Sequence, residues 1–184
     1  MKRSLLLLAL LASLLSQAQS ITAARFVLTP RADNFRTIEL ELNGALLVGL
    51  TGHGALQYVT TLEGEPLPAA ECATLIKYYD QFDIHDIPGR VKSVGDVKIT
   101  YNNTFDIHDV KGSLKSVGDI AVKYYNTFDI HDPQGKVKSV GNVTIRYYNS
   151  FDPDALQGRT KSIEGNSDQL LVWTHRGPLV NAAW

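Results

Sequence analysis

The chain has 184 residues, 44% hydrophobic and 20% charged, with 18 Lys and Arg against 19 Asp and Glu. A net charge of -1 excludes the basic footprint of a nucleic-acid binder and the acidic composition of a disordered tail. A single cysteine, Cys72, excludes an internal disulfide and a cysteine-built zinc site.

Residues 1–18 have the grammar of a secretory signal. Lys2 and Arg3 are the basic start, Ser4 to Leu15 form a leucine-rich run, and Ser16 and Ala18 put small side chains where a signal peptidase reads them. The run is too short for a comfortable membrane span, and no later stretch reaches the ~18 apolar residues that a second one needs. Cleavage is expected after Ala18. It removes Lys2 and Arg3 and takes the net charge to -3. The expected location is therefore periplasmic, cell-surface or extracellular, with no membrane span left after cleavage.

Residues 19–75 read as an N-terminal β region. Stretches 24–29, 35–42, 45–50 and 55–60 suit strands, and Asn43-Gly44 is a hairpin turn. Gly52-His53-Gly54 interrupts the last two. A proline-bearing loop leads into one short helical turn over 69–75.

Residues 76–167 are dominated by self-similarity. Phe82, Phe105, Phe128 and Phe151 lie 23 residues apart, and Phe-Asp-Ile-His-Asp surrounds the first three. Gly89, Gly112, Gly135 and Gly158 keep the period, as do Lys92, Lys115, Lys138 and Lys161. The fourth unit departs, with Pro153 and Asp154 replacing Ile and His. Gly95-Asp96, Gly118-Asp119 and Gly141-Asn142 are two-residue turn signals flanked by Val or Ile. After each turn, apolar residues alternate. Val97, Ile99, Tyr101, Phe105 and Ile107 share one parity, with Lys98, Thr100 and His108 on the other. This predicts a strand running through Ile107 with the phenylalanine on its dry side.

The expected fold is all-β. Four 23-residue β-hairpin units form an antiparallel meander, extended by the N-terminal strands and curled into a barrel or sandwich. The alternative is a β-solenoid, which would stack like-charged Asp at ~4.8 Å. Residues 168–184 supply a last strand, 169–174, and a tail.

The units, with Tyr-Tyr-Asn-x-Phe-Asp and Gly-Lys-Val-Lys-Ser-Val-Gly-Asn, resemble repeats in uncharacterised secreted bacterial proteins. That resemblance covers 76–167 and implies no particular activity. The length also matches MORN repeats, but their tryptophan and Gly-x-Gly spacing are missing, as are the Gln/Asn ladders of curli subunits.

The most chemical-looking residues are the pairs Asp83 and His85, Asp106 and His108, and Asp129 and His131. A carboxylate and an imidazole two apart on one strand face suit a divalent transition metal. The plainer expectation is that each Asp caps the following turn. Tyr79, Tyr125 and Tyr148 are placed on the wet face, where tyrosines pair across strands or anchor a partner. The four lysines could form a basic stripe, which the nearby Asp residues would offset. No nucleophile elbow, phosphate loop or dinucleotide fingerprint is present. His53, His175 and Cys72 supply no recognisable catalytic set, and Cys72 is expected buried and inert. The reading is a non-enzymatic exported scaffold or interaction surface with no cofactor. Its partner would be a protein, an envelope polymer or a second copy. The alternative is a divalent-metal-binding module.

Overall fold

The computed structural model describes residues 19–174. Among these residues it is mostly β, with one short helix and two open sheets.

The first sheet is built from β1 (Ile21–Leu28), β2 (Phe35–Leu42), β3 (Leu46–Thr51), β4 (Leu56–Thr61) and the last strand, β13 (Leu170–Thr174), in the order β13-β1-β2-β3-β4. Strands β1 to β4 pair antiparallel in chain order. The Asn43-Gly44 turn has both central residues at positive φ, the backbone that a tight hairpin following the right-handed strand twist requires. Strand β13 pairs parallel with β1, Ala24 opposite Leu170 through Leu28 opposite Thr174.

Helix α1 (Ala69–Leu75) then leads into the second sheet, whose eight strands pair antiparallel in chain order. They are β5 (Ile76–Tyr78), β6 (Val91–Val94), β7 (Val97–Tyr101), β8 (Leu114–Val117), β9 (Ile120–Tyr124), β10 (Val137–Val140), β11 (Val143–Tyr147) and β12 (Thr160–Glu164). Gly95, Gly118 and Gly141 each open a two-residue turn at φ near +55°. Their hairpins are short, with two registered pairs in each of β6/β7, β8/β9 and β10/β11. The open end of each hairpin is closed by a tyrosine hydroxyl. Tyr101 donates to the Val91 carbonyl at 3.2 Å, Tyr124 to Leu114 at 3.0 Å and Tyr147 to Val137 at 2.8 Å. All three rings are buried, and burial raises their phenol pKa values.

The inward faces of both sheets feed one hydrophobic cluster. It takes Phe26, Leu40 and Val48 from the first sheet and Val91, Ile99 and Ile145 from the second. The N-terminal strands therefore cover the apolar face that eight amphipathic strands would otherwise show to water. The join is partly backbone. Val91 N–H donates to Gly54 O at 2.8 Å, and Val137 N–H to Ala32 O at 2.9 Å.

Three expectations are corrected. The sheets do not close into a barrel. Antiparallel pairing in chain order is not the parallel coil stacking of a solenoid. The strands after each turn are also shorter than their alternation suggests. Strand β7 ends at Tyr101, so Phe105 and Ile107 lie in the loop between β7 and β8. Asn102 and Asn103 follow the strand, and Asn103 folds the backbone into a turn by accepting a bond from Phe105 N–H at 3.0 Å.

Candidate functional site

Four long loops, after β5, β7, β9 and β11, share one construction. In the first, Asp80 Oδ1 accepts from Phe82 N–H at 2.7 Å, and Asp83 Oδ2 accepts from Asp80 N–H at 3.0 Å. Asn103 and Asp106, Asn126 and Asp129, and Asn149 and Asp152 make the same pair of bonds, at 2.9–3.1 Å. A lysine of the following strand takes the other carboxylate oxygen. Lys92 reaches Asp83, Lys115 reaches Asp106 and Lys138 reaches Asp129, each at 2.6 Å, and Lys161 reaches Asp152 at 3.1 Å.

Strand register aims these lysines. Lys77 opposes Ser93 while Tyr78 opposes Val91, so Lys92 is the extra residue of a β-bulge. Lys115, Lys138 and Lys161 are skipped in the same way. The lysine bond, helped by the backbone N–H, holds Asp83 and Asp106 below the usual carboxylate range. The lysine also comes first for Asp129, while for Asp152 the backbone bond does.

Asp83, Asp106 and Asp129 thus hold the loops together, and their oxygens are committed. The histidines point elsewhere. His85 lies 4.6 Å from the Phe105 ring centroid, His108 4.6 Å from Phe128 and His131 4.4 Å from Phe151. Each imidazole therefore packs on the phenylalanine of the next loop. Among the described residues no further loop of this construction follows the fourth, and the histidine position there is Asp154. Among the described residues, no group of three or more His, Cys, Asp or Glu side chains is placed to hold a metal ion.

The tyrosines need a correction. Tyr79 and Tyr125, expected on the wet face, are only 5% and 7% exposed and belong to the core cluster. Their hydroxyls donate to the Ile99 carbonyl at 2.9 Å and the Ile145 carbonyl at 3.1 Å. Lys92 and Lys138 sit over their rings at 5.3 and 5.1 Å. Burial pushes the Tyr79 phenol up to about 12 and raises that of Tyr125. Tyr148 stays half-buried under Lys161. The lysines that could form a basic stripe are the ones paired with Asp.

The exposed apolar surface lies where sequence reasoning placed core. Phe82, Phe105, Phe128 and Phe151 are 70–81% exposed, and Ile84, Ile107 and Ile130 are 76–80% exposed. Val110 is also exposed. These side chains stand on four neighbouring loops, linked by the His–Phe contacts into one edge. The signal that could have found this is Asn/Asp-x-x-Asp around each phenylalanine, a turn pattern lying inside an apparent strand.

Cys72 is half-buried rather than buried, with its thiol 3.6 Å from the Leu67 carbonyl. Desolvation raises its pKa, which leaves it protonated and a poor nucleophile. His53 is exposed between β3 and β4, and His175 lies outside the described residues. No helix among the described residues is long and apolar enough to cross a membrane. No protein-family model, curated protein or solved structure matches the chain.

Proposed function

We propose that the chain is an exported, non-enzymatic scaffold of four 23-residue β-hairpin units, and that the loop edge carrying Phe82, Phe105, Phe128 and Phe151 is its interaction surface. The observation that supports this reading is the exposure of four phenylalanines and three isoleucines along one edge. Their loops are already closed by Asp–Lys pairs and Asx turns, so the apolar side chains add only the exposed His–Phe contacts to the fold. Contiguous exposed apolar surface on a soluble protein marks contact with a protein, a polymer or a membrane. Such a surface also suits an exported protein that works by binding in the cell envelope.

The test is co-sedimentation of the purified mature chain with cell-envelope material, beside a variant carrying Phe→Ser at 82, 105, 128 and 151. The parent is expected in the pellet and the variant in the supernatant. Equal partition of the two overturns the assignment of the surface. Turnover of a hydrolase substrate that disappears on His53→Ala overturns the non-enzymatic reading.

A further inference from the structure

Gln19, the residue after the expected signal segment, is fastened on two sides. Gln19 is buried, and its backbone N–H donates to Asp96 Oδ2 at 3.1 Å. Its side-chain Oε1 lies 3.4 Å from Asn43 Nδ2, and the next residue, Ser20, donates its N–H to Asn43 Oδ1 at 2.8 Å. The Gln19 Cγ rests against Gly95, where an added Cβ would come within 2.2 Å of it. Residue 19 is thereby tied to two turns, Asn43-Gly44 of the first sheet and Gly95-Asp96 of the second. Gln19, Ser20 and Asp96 border an open cleft of about 760 Å³ that also takes in Gly118, Asp119 and Asn142. None of the ion pairs among the described residues uses Asp96.

Immediately before Gln19 stand Ser16 and Ala18, the small residues that a signal peptidase reads. We infer that cleavage falls between Ala18 and Gln19, and that the α-ammonium so released closes an ion pair with Asp96 that fastens the mature N-terminus across the two sheets. The inference rests on the export reading. In the cleavage, water adds across the peptide bond, leaving a carboxylate on Ala18 and an ammonium on Gln19. The donor that already faces the Asp96 carboxylate gains a full positive charge, so a hydrogen bond to an anion becomes an ion pair.

The pairing has a chemical consequence. A free N-terminal glutamine cyclises when its amine attacks its own side-chain carboxamide, expelling ammonia and losing the charge. Here the amine is held on Asp96 and the carboxamide against Asn43. The mature terminus therefore keeps its amine.

The experiment is export of the full chain from a bacterial host, followed by N-terminal sequencing and intact mass, with Asp96→Asn, Asp96→Glu and Asp119→Asn beside the parent. The expected parent begins at Gln19 with its amine intact. Asp96→Asn loses ammonia several-fold faster and melts about 2–4 °C lower, the shift of one modest interaction in a chain of this size. Asp96→Glu restores slow cyclisation, and Asp119→Asn at the neighbouring turn behaves as the parent. An unprocessed chain overturns the export reading and the inference together. A mature chain starting at another residue overturns the inference alone. A parent already cyclised, or Asp96→Asn cyclising no faster than the parent, overturns the ion pair.

Discussion

Lys92 Nζ lies 2.6 Å from Asp83 Oδ1, and each partner is delivered by a local backbone irregularity. Lys92 is the extra residue of a β-bulge between β5 and β6, and Asp83 closes a turn by accepting from Asp80 N–H. The pair is therefore a loop clasp. It recurs at Asp106–Lys115, Asp129–Lys138 and Asp152–Lys161.

The four clasps make stability depend on acid. Each carboxylate has its pKa lowered in the folded chain. Unfolding at low pH therefore takes up protons. The stabilisation is present above the unfolded Asp value of about 3.9 and is lost as pH falls through the lower folded values. Urea denaturation between about pH 6 and pH 2 should show midpoints falling below about pH 4. Replacing all four Asp by Asn should lower the midpoint at neutral pH and flatten that acid limb.

Tyr147→Phe removes the buried bond to the Val137 carbonyl. Because the carbonyl is left without its partner, the expected cost is about 1–3 kcal/mol. Chemical denaturation of this variant beside the parent measures it. A loss below about 0.3 kcal/mol would mean that the hydroxyl does not close the hairpin.

Gly54 sits at φ +78° with the Tyr101 hydroxyl against it, and an added Cβ would come within 2.0 Å of that oxygen. Gly54→Ala should therefore destabilise by more than the ~1 kcal/mol of an ordinary glycine substitution. Strain at this contact loosens the sheet-to-sheet join, so amide exchange should rise at Val91, whose N–H is bonded to Gly54 O. Unchanged protection at Val91 would contradict the join.

The histidines are expected to matter through their neighbours. Substituting His85, His108 and His131 together by Ala should cost no more than about 1 kcal/mol per site, the range of an exposed ring contact. Added zinc or nickel should leave parent and variant melting alike. A metal-induced rise in Tm seen only in the parent would restore the metal-module alternative.

Much of this architecture is legible in the residues. Asn43-Gly44 and the Gly-Asp turns carry their backbone geometry in their side chains, so the hairpins can be placed to within a residue or two. The helix over 69–75 and the strands flanking 52–54 follow from local pattern. Phe105 and Ile107 mislead because apolar alternation continues past Tyr101 while Asn103 and Asp106 turn the chain. Periodicity reports the spacing of apolar residues, and side-chain-to-backbone bonds decide where the strand stops. Tyr79 misleads in the opposite sense, since parity assigns it to water while packing under Lys92 buries it. The parallel pairing of β13 with β1 joins segments far apart in the chain, and no local signal carries it. The Lys92–Asp83 clasp spans nine residues and depends on a bulge that only the register reveals.

The most direct measurement is the thermal and urea stability of the Phe82, Phe105, Phe128 and Phe151→Ser variant. If the loop edge is an outward-facing surface, stability should stay within about 1 kcal/mol per site of the parent, the exposed His–Phe contacts included. A loss of about 3–5 kcal/mol per site, the signature of a truncated core aromatic, would show that the phenylalanines belong to the fold and would contradict the interaction surface.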